Sequence, residues 1–260
     1  MKKGIYSWFG YALPFEERIK LIKSAGFDSV MLWWGDDNVA INGLKINQPA
    51  IVASCGLAIE NAHLPFSGIN VLWEDTTDGD VYESNIKNAI KECSQYGIKT
   101  VIMHITNGFK LPNLSNIMLD RIRRIAVVAK EHNVKLALEN LKVVPALDFI
   151  LANIKDENVG FCYDSGHHNC FASDIDLLGK YGNRLFAIHL HDNFGETDMH
   201  MLPYDGNIDW EKVYDGIKKS NYHGALTLEL EASKYHIYDD LSAEEYLAKA
   251  YQCLVKLDKQ

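Results

Sequence analysis

Eight short runs rich in aliphatic and β-branched residues recur along this chain, and most are separated by segments of helical periodicity. They read KGIYSW from Lys3, DSVMLW from Asp28, LAIENAH from Leu57, KTVIMH from Lys99, KLALEN from Lys135, VGFCYD from Val159, RLFAIHLHD from Arg184 and ALTLELE from Ala225. Helical segments are expected at 14–26, which opens with proline and closes with glycine, and at 82–97, 115–133, 209–220 and 242–257; 48–55 is the weakest. Strands alternating with helices build parallel βαβ units. The 260 residues contain no Pro/Gly/Ser-rich linker, and (β/α)₈ barrels run to roughly 250 residues as one unit. The expectation is a single α/β domain over residues 1–260, a (β/α)₈ TIM barrel. The rival, a doubly wound open sheet, would place its chemistry at one switch point, after a G-x-G-x-x-G turn that the first strand lacks.

Composition narrows the functional classes. With 47% hydrophobic residues the chain is globular, neither disordered nor fibrous. Its 26 basic against 35 acidic residues give a net charge of −9, which argues against coating nucleic acid by charge alone. Nucleic acid is thus an unfavoured partner. No apolar stretch reaches the roughly 18 residues of a membrane span, and the Met-Lys-Lys start lacks a signal-peptide core. Five cysteines without paired spacing read as reduced thiols, so a cytoplasmic protein is expected.

The strand ends carry the chemistry. The third strand ends in His63, the fourth in His104 and the fifth in Glu139. The sixth ends in Asp164, with His167 three residues on. The seventh carries His189 and His191, then Asp192, and its following loop holds Asp198 and His200. The eighth ends in Glu229. One strand-end carboxylate is commonly a helix cap. Carboxylates converging from several strands on one barrel mouth would repel, and a divalent cation removes the conflict. Mixed imidazole and carboxylate donors suit Zn²⁺, Mn²⁺ or Fe²⁺ better than Mg²⁺ or Ca²⁺. Period-two alternation puts Ala137 with Glu139, and Ala187 with His189 and His191, on the inward face; it turns Leu136, Leu138, Phe186, Ile188 and Leu190 toward the helices. His191 is open to three roles: ligand, support for a ligand, or substrate contact.

The segments ALEN, YDSGH, IHLHDN and LTLELE resemble the xylose isomerase-like TIM barrel superfamily along the whole chain. That superfamily holds sugar and sugar-phosphate isomerases and epimerases as well as endonuclease IV. In the epimerase branch the resemblance implies one metal on Glu139, Asp164, His189 and Glu229, with the two glutamates moving the substrate proton. In the endonuclease IV branch it implies three zinc ions held by His63, His104, Glu139, Asp164, His167, His189, Asp198, His200 and Glu229. Two departures stand out. The strand-two loop WWGDDNVAINGLK is acidic at Asp36 and Asp37, where the endonuclease probes DNA with basic and intercalating side chains. Pro145 and Gly195 lie near the places where the epimerases often have a second glutamate and an arginine.

Two mechanisms follow. In the first, one cation chelates the carbonyl and adjacent hydroxyl of a ketose and stabilises an enediolate. Glu139 and Glu229 act as acid and base, and His167 hydrogen-bonds a sugar oxygen. Trp8, Trp33, Trp34, Phe66 and His191 are the candidate substrate contacts. In the second, two or three zinc ions activate hydroxide against a phosphodiester, and Asp198 with His200 favours this version. A non-catalytic sugar-binding barrel is a third possibility, disfavoured by the complete ligand set. The expectation is therefore a sugar or sugar-phosphate isomerase or epimerase with one to three zinc or manganese ions per chain, a carbohydrate substrate and a possible homo-oligomer.

Overall fold

The computed structural model describes residues 1–34 and 47–259. Asp36 and Asp37, the acidic pair of the strand-two loop, lie outside the described residues. The strands are β1 (Lys3–Tyr6), β2 (Ser29–Trp33), β3 (Ala58–His63), β4 (Thr100–Met103), β5 (Lys135–Glu139), β6 (Val159–Asp164), β7 (Leu185–His189) and β8 (Leu226–Leu228). All pair in parallel, in the order β7-β6-β5-β4-β3-β2-β1-β8. Just above β7 and β8, Leu190 bridges Leu228. The Leu190 amide donates to the Thr227 carbonyl at 2.9 Å and the Glu229 amide to the Leu190 carbonyl at 3.1 Å, which brings the two ends of the sheet together into a nearly closed barrel.

Around the strands run α1 (Phe15–Ser24), α2 (Gln48–Ser54), α3 (Thr77–Gln95), α4 (Asn116–Glu131), α5 (Val144–Asn153), α6 (Ser165–Phe171), α7 (Leu177–Tyr181), α8 (Trp210–Lys219) and α9 (Ala243–Leu257). Local chemistry sets several boundaries. Gly26, at φ 103°, follows α1, and Gly97, at φ 74°, follows α3; both are left-handed turns that glycine adopts without steric cost. The Asp209 carboxylate accepts from the Lys212 amide at 3.0 Å and caps α8, so its role is structural. Ser242 and Glu245 form a reciprocal capping box at α9. Helices α5, α6 and α7 carry too little polar–apolar periodicity to stand out in the sequence. The α5 segment VPALDFILAN is mostly apolar, and α6 is only seven residues long. No helix among the described residues is long and apolar enough to cross a membrane. The five cysteines are free.

Two apolar layers follow from strand alternation. Ile5, Val30, Leu32, Val101, Met103, Leu136, Leu138, Phe161, Ile188 and Leu228 pack outward against the helices. Met31, Ile102, Ala137, Cys162 and Ala187 fill the barrel interior. The small residues of this inner layer lie one step below Glu139, Asp164 and His189 on β5, β6 and β7. Phe186 departs from the expected outward direction. A register shift against β6 pairs Phe161 with Leu185 but Cys162 with Ala187, so one extra residue sits on β7. Phe186 packs against the interior layer, beneath the Lys135 ammonium at 4.6 Å. It occupies space left by Gly160, where a Cβ would collide with its ring.

Candidate metal centre

The inward positions at the upper ends of β3 to β8 bring His63, His104, Glu139, Asp164, His189 and Glu229 to one buried mouth. Glu139 lies at its centre and is 1% exposed. One of its oxygens is 3.0 Å from His63 Nε2 and 3.3 Å from His104 Nε2; the other is 3.1 Å from His167 Nδ1 and 3.6 Å from His189 Nδ1. His189 Nδ1 is also 3.2 Å from Glu229 Oε2 and 3.9 Å from Asp164 Oδ2. Ligand atoms of Glu139, Asp164, His189 and Glu229 all lie within 4.8 Å of one another, as do those of His63, Glu139 and His189, and those of His191, Asp198 and His200.

The donor set fits divalent cations. Oxygen and nitrogen ligands about 2.0–2.2 Å from a shared tetrahedral zinc ion lie roughly 3.3–3.6 Å apart, and the contacts of His189 Nδ1 with Glu229, Glu139 and Asp164, at 3.2, 3.6 and 3.9 Å, bracket that spacing. Five buried polar atoms at the mouth lack an aligned hydrogen bond: His167 Nδ1, both ring nitrogens of His189, His191 Nδ1 and Asp198 Oδ1. Buried polar atoms are almost always paired, so a cluster of exceptions points to a missing partner. The orientation of His63 agrees. Its Nδ1 donates to the Leu64 carbonyl at 2.8 Å, which aims Nε2 at Glu139. His200 repeats the device, donating from Nδ1 to the Glu229 carbonyl at 3.1 Å and presenting Nε2 to Asp198 at 3.0 Å. A carbonyl that fixes the tautomer of a ligating histidine is a common feature around metals.

Electrostatics keeps the acids ionised. Burial alone would raise the Glu139 carboxyl, but the neighbouring imidazoles, His104 and His189 foremost, hold it well below the usual carboxylate range. The same balance lowers Glu229, through His189 and His200, and Asp198, through His200, His167 and His191. Burial lowers His104 despite Glu139 beside it. His167, His189 and His200 are raised because their acidic neighbours outweigh burial.

All nine of the residues read as ligands stand at this mouth, and His191, left open to three roles by the sequence, lies against Asp164 and Asp198. Its Nε2 donates to both Asp164 oxygens at 3.1 Å and lies 3.6 Å from Asp198 Oδ1, and its ring stacks on His200 at 4.2 Å. It groups with Asp198 and His200, while His167 lies 3.6 Å from Asp198 and bridges toward Glu139. Trp33 stacks on His63 at 4.8 Å and Phe66 on His104 at 4.2 Å, so both frame these imidazoles. Trp8 is half-buried under the Arg18 guanidinium. Trp34 does not belong to the mouth. One step along the chain from Trp33, it turns outward into the core and donates from Nε1 to Glu92 of α3 at 2.7 Å. Pro145 sits in the first turn of α5, and Gly195 takes a left-handed turn at φ 86°.

Compared with known proteins, residues 19–257 match the family described as xylose isomerase-like TIM barrel. The chain belongs to that family. It is 26% identical to the uncharacterized protein y4fM of Sinorhizobium fredii, over 98% of this chain and 93% of that protein. It is 22% identical to an inosose isomerase of Bacillus subtilis, over 66% of this chain and 67% of that one. Among solved structures, D-psicose 3-epimerase from Clostridium cellulolyticum H10, with D-tagatose, superposes with a TM-score of 0.79 at 16% identity, covering 100% of this chain and 99% of the other. IOLI protein with a zinc atom bound superposes with a TM-score of 0.76 at 17% identity, covering 98% and 97%. At these identities the structural likeness shows the fold.

On this xylose isomerase-like barrel several residues inside the quoted segments support the mouth without being read as site residues from the sequence. The Asn140 side chain donates to the Asp164 carbonyl at 2.9 Å and accepts the Asp164 amide at 2.8 Å, locking the top of β5 to β6. The Ser165 hydroxyl donates to the His191 carbonyl at 2.7 Å and accepts the His191 amide at 3.0 Å. At Gly166 a Cβ would collide with the His191 ring, so the glycine of YDSGH makes room for it. Asp192 is fully buried and accepts from the amides of Asn193, Tyr204 and Ile208 and from the Trp210 indole at 2.8 Å. It thereby organises the loop that carries Asp198 and His200. The sequence signal for Asp192 was its place directly after the HLH run.

Proposed function

We propose that this chain is a divalent-metal-dependent isomerase or epimerase acting on carbohydrate-like α-hydroxy ketones. The observation that carries the reading is the group Glu139, Asp164, His189 and Glu229, in which two ionised glutamates from β5 and the end of β8 face one shared space. These four would hold the cation, Zn²⁺ or Mn²⁺, which when bound polarises the substrate carbonyl and adjacent hydroxyl. Either glutamate is a base suited to taking the proton from the carbon next to the carbonyl, and the other returns it. His167, within reach of Glu139 and Asp198, donates to a substrate oxygen. Trp33 and Phe66 wall the mouth and exclude water. The names of the similar proteins, D-psicose 3-epimerase and inosose isomerase, support polyhydroxy ketones as the substrate class.

One observation favours a second reading, a multinuclear zinc phosphoesterase. The His191–Asp198–His200 group offers a further cation position that a one-metal isomerase does not need. The two are separated by following deuterium from D₂O into ketoses and inososes with metal-loaded protein. The isomerase reading predicts exchange at the carbon beside the carbonyl. Nicking of an abasic duplex without such exchange would replace it with the second reading.

A further inference from the structure

Lys234 belongs to no motif, yet it reaches the mouth. Its ammonium lies 3.7 Å from Asp198 Oδ2, on the carboxylate that His200 and His191 also face. Its segment is anchored on the ligand loop. The Glu231 amide donates to the His200 carbonyl at 3.3 Å, and the Lys234 amide to the Glu231 carbonyl at 3.1 Å. The Ala232 amide donates to the Phe9 carbonyl at 3.0 Å, against Gly10, where a Cβ would collide with the Ala232 backbone. Immediately beyond Lys234, Tyr235 (φ 64°) and His236 (φ 56°) are both left-handed, a conformation costly for residues with a Cβ. Such strain persists where surrounding structure fixes it, and it clusters at functional sites.

We propose that Lys234 is the resident cation of the Asp198 group. It stands in for a further metal ion and limits this mouth to the ions held around Glu139. The physical reason is competition. A divalent ion on His191, Asp198 and His200 would sit within a few ångströms of an ammonium on the same carboxylate, and like charges at that range repel strongly in a partly buried site. Lys234 has a flexible four-carbon stem and one compact charge, suited to neutralising Asp198 without fixed coordination geometry. The inference rests on the proposed metal centre, and it decides how many ions that centre takes: the Asp198–His200 pair serves substrate positioning rather than metal binding.

The test is metal content of the full chain after equilibrium dialysis against Zn²⁺ and, separately, Mn²⁺, read by elemental analysis. Lys234→Met keeps the apolar stem and removes the charge; Lys234→Arg keeps a charge. The expected result is one additional ion per chain in Lys234→Met, bound about tenfold or more tighter than any further ion in the wild type, the scale of a lost single-charge repulsion at close range. Lys234→Arg should match the wild type, and Asp198→Asn in the Lys234→Met background should remove the added ion. Equal ion counts in wild type and Lys234→Met, both folded by circular dichroism, would overturn the assignment of Lys234. Glu139→Gln serves as the control on the centre itself. If it retains the full metal content of the wild type, the metal-centre reading fails, and the Lys234 proposal falls with it.

Discussion

Two buried carboxylates in this molecule live in opposite company. Glu83, in α3, is enclosed by two arginines and a lysine: Arg121 at 3.1 Å, Arg124 at 2.7 Å and Lys87. Arg121 is itself buried, tied to Asp80 at 2.7 Å and to the Glu74 carbonyl at 3.0 Å. Glu139, at the barrel mouth, is enclosed by His63, His104, His167 and His189, with no lysine or arginine paired to it among the described residues. A carboxylate that only needs neutralising is met by guanidinium and ammonium groups. One that is to share a cation, or to take and return a proton, is met by imidazoles, which ligate metals and titrate near neutrality. Five buried polar atoms without an aligned hydrogen bond gather at the mouth around Glu139, against one, Arg121 Nε, in the Glu83 network.

Substitution of each carboxylate by its amide is the largest expected contrast. Glu139→Gln should reduce turnover by about 10²–10⁴-fold and lower metal content while leaving the fold intact, because a general base supplies about that much. Glu83→Gln should leave turnover per folded molecule and metal content unchanged and reduce unfolding free energy by about 3 kcal/mol, since it strips one partner from a buried ionic network. Loss of turnover in Glu83→Gln, with no loss of stability, would erase the distinction.

Acid sharpens the same comparison. Burial alone would raise the Glu83 carboxyl, but Arg124 and Lys87 more than offset this and hold it at about 2, against 4.5 for an ordinary glutamate. The folded state therefore binds this proton less readily than the unfolded one. The stability Glu83 contributes is complete above about pH 4.5 and is lost as pH falls from there through about 2. Urea midpoints at pH 5 and pH 3 should fall less steeply in Glu83→Gln than in the wild type. An identical slope would show that this network does not govern acid stability.

A smaller contrast separates two adjacent tryptophans. Trp33 stacks on His63 at the mouth, so Trp33→Ala should raise KM about three- to tenfold, the worth of one aromatic contact. Trp34 bonds to Glu92 on the outer side, so Trp34→Phe should cost about 1–2 kcal/mol of stability and leave KM unchanged. Reversal of the two outcomes would contradict the assignment of faces.

These residues also show how much of the molecule was legible in the sequence. The eight strands and the strand-end residues were readable because period-two alternation and a parallel barrel leave few alternatives. The same alternation separates Trp33, at the mouth, from Trp34, in the outer core, although they are neighbours in sequence. Phe186 departs from the alternation for a different reason. One extra residue on β7 interrupts the alternation, so that Phe186 joins Ala187 at the interior layer, and nothing local in RLFAIHLHD marks it. Asn140, Ser165 and Asp192 act through backbone groups of other strands and loops, contacts that exist only once the barrel has closed. Lys234 lies thirty-six residues from Asp198 and meets it through a loop held in left-handed turns.

The central claim is that the mouth around Glu139 is a cation centre, and anomalous scattering from crystals grown with zinc or manganese tests it most directly. The account predicts a strong peak about 2.0–2.2 Å from oxygens of Glu139, Asp164 and Glu229 and from a nitrogen of His189, with the Lys234 ammonium rather than a second peak beside Asp198. A mouth without any anomalous peak, its imidazoles and carboxylates paired only with one another and with water, would contradict it.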